Sequence, residues 1–235
     1  MNHDPAANSL LAALPRKGHQ RLLERLEPVA LQFGDVLYRP REAIRHVYFP
    51  LDCMVSLLTL AGGHLALEVG LVGHEGMLGI PLALGVKDSP VRALVQGSGT
   101  ALRMKSAPFL NEFGRNAPFQ RAVYRYAHDL MVQVTQTAAC NRFHRVEARL
   151  ARWLLMTRER MRSNRFRLTQ EMLGSMLGVL RVAVTKAAGT LQQRKLISYS
   201  RGEINILDSE VLEAVACPCY QIVKLAPAVP GARLH

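Results

Sequence analysis

The spacing of apolar residues divides this chain into three textures. Between Ser9 and Leu26, the residues Leu10, Leu11, Leu14, Leu22, Leu23 and Leu26 fall on one side of one or two short helices. From Val29 to Met104 the apolar stretches are short, as in Val36-Leu37-Tyr38, His46-Val47-Tyr48-Phe49 and Met54-Val55-Ser56-Leu57-Leu58. Turn residues separate them: Phe33-Gly34-Asp35, Pro50-Leu51-Asp52, Ala61-Gly62-Gly63 and Gln96-Gly97-Ser98-Gly99. This rhythm predicts about eight strands in an antiparallel sandwich or roll. After Pro118 the period becomes helical. Val123, Ala127, Leu130, Val134 and Thr137 form an a/d seam, suited to a dimer contact or to packing on the chain's own core. A second amphipathic helix is predicted over Val146–Met161. It has Val146, Leu150, Trp153, Leu154 and Met161 on one side and Arg149, Arg152, Arg158, Glu159 and Arg160 on the other.

The segment from Leu168 to Lys186 has a different logic. Thr169 is placed to cap a short helix whose inner face holds Met172 and Leu173. Gly178 sits where a tight turn between two helices needs positive φ. A second helix is predicted from about Arg181 to Arg194, with Val184, Ala187, Ala188 and Leu191 facing inward. Arg181, Val182, Thr185 and Lys186 then share the opposite, N-terminal face, where a recognition helix meets base edges in a major groove. Leu196-Ile197-Ser198-Tyr199 and Glu203-Ile204-Asn205-Ile206-Leu207, joined through Ser200-Arg201-Gly202, read as a hairpin wing. The candidate DNA-contacting residues are Thr169, Gln170, Arg181, Val182, Thr185, Lys186 and Arg201.

Charge sharpens this picture. The 235 residues carry a formal net charge of +12, and 49% of them are hydrophobic, enough to bury a core and to argue against wholesale disorder. Fourteen Lys and Arg and four Glu lie between Asn141 and Ile206, a net of +10, so a polyanionic partner is expected to meet this third of the chain. No apolar run reaches the ~18 residues that a spanning helix needs, and the first residues do not read as a secretory signal. A cytoplasmic protein without membrane contact is the expectation. Cys53, Cys140, Cys217 and Cys219 are scattered apart from the Cys-Pro-Cys near the end. Without paired CxxC motifs, no metal site is expected, and Cys217 and Cys219 stand as thiols with an open metal or redox role.

The order Leu168-Thr169-Gln170-Glu171, Leu177-Gly178-Val179, Arg181, Val184, Leu191, Leu196-Ile197, Arg201-Gly202 and Ile204-Asn205-Ile206-Leu207-Asp208 resembles the Crp/Fnr family. Upstream, Gly34-Asp35-Val36-Leu37-Tyr38, His46-Val47-Tyr48-Phe49-Pro50 and Glu75-Gly76-Met77-Leu78-Gly79 are similar to that family's cyclic-nucleotide-binding β-roll. The resemblance covers roughly Leu22 to Leu212, and the helix from Ala117 to Cys140 is placed like the family's dimer helix. It implies an α+β chain in four parts. These are a β-roll sensor at 1–117, a dimerisation helix at 118–145, a winged helix-turn-helix at 146–220 and a tail at 221–235. It also implies a homodimer on double-stranded DNA, joined along Val123, Ala127, Leu130 and Val134, with RNA polymerase as a candidate further partner.

Departures from the family narrow the expectation. Leu78-Gly79-Ile80-Pro81 puts Ile80 where cyclic-nucleotide binders of the family carry the ribose-binding carboxylate. Ile80 accepts no hydrogen bond, so tight cyclic AMP binding is not expected. Arg92 is a weak candidate for meeting a phosphate or another anion. Residues 1–34 hold no Cys, which argues against the family's iron–sulfur branch, and His46, His64 and His74 read as surface or packing residues rather than haem ligands. No cofactor is expected, and the effector is an unknown small molecule or none. In the recognition helix, Arg181 keeps a donor for guanine O6/N7, Val182 suits a thymine methyl, and Lys186 holds the third family contact position. No Gly-rich phosphate loop, HExxH or nucleophile–base set suggests an enzyme. The competing readings are a nonspecific architectural DNA binder and a regulatory module without DNA readout.

Overall fold

The computed structural model describes residues 5–61 and 65–224. Beyond Ala61, the expected turn at 61–63 lies outside the described residues, as do His64 and positions 225–235 of the expected tail.

Two short helices open the chain, α1 (Ser9–Ala12) and α2 (Arg16–Leu23). Asn8 caps α1 by accepting from the Leu11 N–H, and its amide donates to the carbonyls of Pro50 and Gly76 at 2.9 Å each. A fully buried Asn thus ties the N-terminal helices to the roll. Then follow β1 (Glu27–Leu31), β2 (Val36–Tyr38), β3 (His46–Pro50), β4 (Met54–Ala61), β5 (Leu65–Val72), a short α3 (Ile80–Ala83), β6 (Arg92–Gly97) and β7 (Gly99–Lys105). Among the described residues the roll has these seven strands, in antiparallel sheets ordered β1-β7-β3 and β2-β6-β4-β5. Val47, Phe49, Val55, Val72, Val95 and Ala101 alternate inward and are fully buried, which is why these segments become strands rather than helices.

A helix α4 (Ser106–Arg115) leads into the 27-residue α5 (Ala117–Phe143). Asn116 caps α5 through the Phe119 N–H, with Pro118 in the first turn. The seam expected along α5 faces inward. Val123 is fully buried in the core of the roll, Ala127 and Leu130 pack against it, and Gln133 bonds both backbone groups of Leu71 on β5. The expected dimer seam is thus partly taken up by the chain's own core: Val123 is buried, while Ala127, Leu130 and Val134 stay half-exposed. Tyr124, His128, Met131 and Thr135 form the exposed ridge instead.

After a two-residue break comes α6 (Val146–Met161), matching the expected span. Its expected polar side is not solvated: Arg149, Arg152 and Arg160 are buried. The reason is tertiary. Met54, Leu58 and Leu71 of the roll share one hydrophobic cluster with Leu150, Trp153 and Leu154, so α6 is covered on both sides. Two of the buried arginines are well partnered, while Arg152 donates only from Nη2, to Thr137 Oγ1 at 3.4 Å. Arg160 pairs with Glu75 at 2.9 Å, and Arg149 donates to the Leu177 carbonyl and to Asn141.

The remaining elements are β8 (Arg165–Arg167), α7 (Gln170–Leu177), α8 (Arg181–Gln193), β9 (Ile197–Ser200), β10 (Glu203–Ile206), α9 (Ser209–Val215) and α10 (Cys219–Val223). Strand β8 adds to the expected hairpin, giving a sheet ordered β8-β10-β9. Val184, Leu191, Ile204 and Leu212 fill the core beneath it.

Candidate nucleic-acid interface

Local sequence sets the geometry of α7 and α8. The Thr169 hydroxyl accepts from the Met172 N–H at 3.2 Å, the N-cap expected there. Gly178 has φ +61° and returns its N–H to the last turn of α7. The two helix axes differ by 104°, within the range of a helix-turn-helix. Val184, Ala187, Ala188 and Leu191 are buried, so the rotation of α8 about its axis is fixed from below. Arg181, Val182, Thr185 and Lys186 are exposed on the opposite face, as expected.

One contact links the exposed side chains. Gln170 Oε1 accepts from Arg181 Nε at 3.3 Å and from the Thr185 hydroxyl at 2.9 Å. Gln170 thus orients two neighbouring residues of α8 and leaves the terminal amino groups of Arg181 available for a planar, two-pronged contact. Arg181 also occupies the first turn of α8, where backbone N–H groups point outward and favour an anion.

The wing is locked to the same helix pair. Tyr199 donates to the Leu168 carbonyl at 2.9 Å, and Leu168 N donates to the Gly202 carbonyl at 2.7 Å. Burial raises the Tyr199 phenol above its usual range, so it stays a donor. Arg201 and Gly202 both have positive φ, +50° and +77°, which makes a two-residue hairpin turn with Arg201 at its tip. Thr169, Gln170, Arg181, Tyr199, Arg201 and Gly202 line one open groove of about 430 Å³ between helices and wing. Val182 and Lys186 lie outside that lining, farther along the exposed face of α8.

The basic surface differs in detail from the charge count. The buried Arg149, Arg152 and Arg160 do not belong to it. Arg165 and Arg167 do: both are exposed on β8 while Phe166 between them turns inward, and the sequence reading did not single them out. The signal was present as a polar-apolar-polar alternation, but three residues are too few to recognise a strand without its partner β10. Leu180, the residue before α8, is 77% exposed beside Arg181.

The other singled-out residues lie elsewhere. Arg92 sits half-buried on β6 opposite Leu58, and its Nε has no hydrogen-bond partner among the described residues. Ile80 is buried in the core of the roll at the start of α3. The two ring nitrogens of His74 face Ser9 Oγ at 3.4 Å and the Glu159 carbonyl at 3.3 Å, and His46 lies on β3 against Tyr48.

Three of the cysteines scattered along the sequence converge with a histidine. Cys140, His144, Cys217 and Cys219 place their ligand atoms within 4.8 Å of one another. A hydrogen bond from Cys217, with the charge of Arg152, favours the Cys140 thiolate, and the same contact drives the Cys217 thiol up. The expectation of no metal site rested on spacing, and 77 residues separate Cys140 from Cys217.

Residues 148–215 match the family model described as a Crp-like helix-turn-helix domain. This span runs from α6 through the wing to α9. Similar solved structures extend the likeness to the β-roll and α5. A transcriptional regulator of the Crp/Fnr family from Eubacterium rectale is 16% identical, covering 92% of this chain and 99% of that one, at a TM-score of 0.68. FixK2 from Bradyrhizobium japonicum is 13% identical over 82% of this chain and 98% of its own, at 0.69. The c-di-GMP-responsive global regulator CLP of Xanthomonas campestris is 15% identical over 83% of this chain and all of its own, at 0.67. At these identities the likeness establishes the fold: a mixed α+β chain with antiparallel sheets and a Crp-like helix-turn-helix. No curated protein matches the chain in sequence.

Proposed function

We propose that this chain is a sequence-specific DNA-binding transcriptional regulator of the Crp/Fnr type. It has no catalytic role, and it binds an inverted repeat as a homodimer in the cytoplasm. The observation that carries the reading is the Gln170-held Arg181 at the exposed start of α8, in one groove with the wing tip Arg201. In this reading Arg181, Val182, Thr185 and Lys186 meet base edges, while Thr169, Gln170 and Arg201 position the module on the backbone. Arg165 and Arg167 extend the phosphate-facing surface. Residues 1–117 act as the sensor, 118–145 as the dimerisation helix and 146–220 as the DNA-binding module. The dimer contact runs along the exposed ridge of α5 with Tyr124 and Met131, flanked by the half-exposed Ala127, Leu130 and Val134, because Val123 is buried in the roll.

The effector in this reading is not cyclic AMP. Ile80 stands at the position of the family's ribose-binding carboxylate, and its buried side chain offers no acceptor. Binding-site selection with the purified full chain tests the function. An enriched inverted repeat is the expected result. A flat, salt-sensitive pool would replace the proposal with an architectural DNA binder, and no retention of DNA would end it.

A further inference from the structure

The end of α5 and the start of α10 are brought together by packing. Cys140 lies in the last turn of α5 and His144 follows four residues later, so both project from one side of the chain. Cys217 and Cys219 flank Pro218 at the start of α10, and Cys217 N donates to the Ala148 carbonyl on α6 at 3.3 Å. Cys140 Sγ and Cys217 Sγ are 3.2 Å apart, and Cys219 Sγ lies 3.6 Å from His144 Nδ1. All three cysteines are buried and His144 is half-buried.

These separations, from 3.2 Å to within 4.8 Å, bracket those of one chemistry. Sulfur and nitrogen ligands on one tetrahedral zinc-class ion, with bonds of ~2.0–2.3 Å, stand about 3.5–3.8 Å from one another. An iron–sulfur cluster distributes its thiolates over several irons and spreads them wider than this group allows. Charge gives an independent indication. Arg152 is only 5% exposed, and its Nε and Nη1 have no hydrogen-bond partner among the described residues. Its guanidinium acts electrostatically on Cys140, Cys217 and Cys219. Its Nη2 donates to Thr137 Oγ1 at 3.4 Å, and the carboxyl acting on it, Glu68, is pushed by burial towards its neutral form. An under-compensated buried cation is costly. Three thiolates and a neutral imidazole around a divalent ion carry a net charge of −1, which adds to the partial compensation that Glu68 gives Arg152.

We propose that Cys140, His144, Cys217 and Cys219 form a tetrahedral structural site for a thiophilic divalent cation of the zinc class. Four protein ligands close the site, so its role is architectural rather than catalytic. The helix-turn-helix and wing lie in sequence between the two halves of the site. The metal therefore closes a loop around the whole module and fixes it against the end of α5. Binding releases the protons still held by the ligating thiols, so affinity rises with pH.

The test uses the full chain, purified under reductant, stripped with chelator and titrated with Co²⁺ and then Zn²⁺. One Co²⁺ per chain is expected, with the visible bands of a tetrahedral ion and a near-ultraviolet thiolate charge-transfer band. Zn²⁺ should abolish both and raise the melting temperature. His144 is half-buried and can be changed without emptying a core. His144→Ala should weaken Co²⁺ binding by more than the roughly 10–100-fold that loss of an outer-shell partner costs, and His144→Cys should restore it with a stronger charge-transfer band. Cys53→Ser, in the roll, should leave the titration unchanged. A wild-type chain without the tetrahedral spectrum would overturn the proposal. So would a Cys140–Cys217 disulfide that persists under reductant, or a spectrum indifferent to His144→Ala. None of these outcomes depends on DNA binding.

Discussion

Trp153 donates its indole N–H to Glu68 at 2.7 Å, joining α6 to β5 across the buried contact between the roll and the helix-turn-helix. Ser56 donates to the other carboxyl oxygen at 2.5 Å. Burial outweighs these bonds and lifts the Glu68 carboxyl from 4.5 to about 7. Between those values the folded chain keeps a proton that the unfolded chain has released. This contribution to stability is therefore whole below about pH 4.5, is lost as pH rises towards 7, and is level above it. Glu68→Gln should remove that slope. Chemical denaturation of wild type and variant across this window checks it: the difference in stability should grow in favour of the variant as pH rises. A constant difference would show that Glu68 does not titrate there.

Base reading and phosphate attraction should separate by residue. Arg181→Ala is expected to cost ~1–3 kcal/mol on the selected site and to relax preference at one base pair of each half-site. Arg201→Ala should weaken specific and nonspecific DNA alike and lower the salt slope by ~1 per site. Selection on both variants, with affinities at several salt concentrations, decides. If Arg181→Ala weakened every sequence equally, the reading head would lie elsewhere, with the exposed Val182 and Leu180 as the next residues to change.

The two faces of α5 predict opposite phenotypes. Met131 is 60% exposed, and Met131→Glu should leave the fold intact while weakening self-association by about 1.4 kcal/mol or more, roughly tenfold. Val123 is fully buried, so Val123→Asp should lower the melting temperature before it affects assembly. Light scattering paired with thermal melts distinguishes them. A chain that is monomeric at all concentrations, with and without DNA, would rule out the dimer.

Gly76 permits the close approach of the β5–α3 loop to α5. A Cβ there would overlap the Tyr126 ring, which is buried. Gly76→Ala should therefore destabilise by ~1–3 kcal/mol or more through overpacking. Adding Tyr126→Leu should recover part of that loss in a double-mutant cycle. Strict additivity would place the strain elsewhere.

For the roll, calorimetric titration with cyclic AMP should show no binding at micromolar concentrations. Micromolar affinity, or DNA binding that depends on cyclic AMP, would overturn the proposal that Ile80 takes the place of a ribose-binding carboxylate.

Periodicity and special residues made the helix-turn-helix legible before any tertiary structure. Thr169, Gly178 and the buried set Val184, Ala187, Ala188 and Leu191 act through neighbours a few residues away, and such local rules leave their mark in one dimension. The same holds for the Arg201-Gly202 turn and for most strands of the roll. What only packing decided involves residues far apart in the chain. The a/d spacing of α5 specifies an apolar stripe but not what covers it: Val123 is buried in the core of the roll, and Leu130 lies beside Gly70 of β5. Arg149, Arg152 and Arg160 read as a solvated face because a helical pattern cannot register a second surface approaching from the other side. The meeting of Cys140 and His144 with Cys217 and Cys219 was hidden for the same reason: ligand spacing is a local signal, and this group is assembled by docking α10 against α5 and α6.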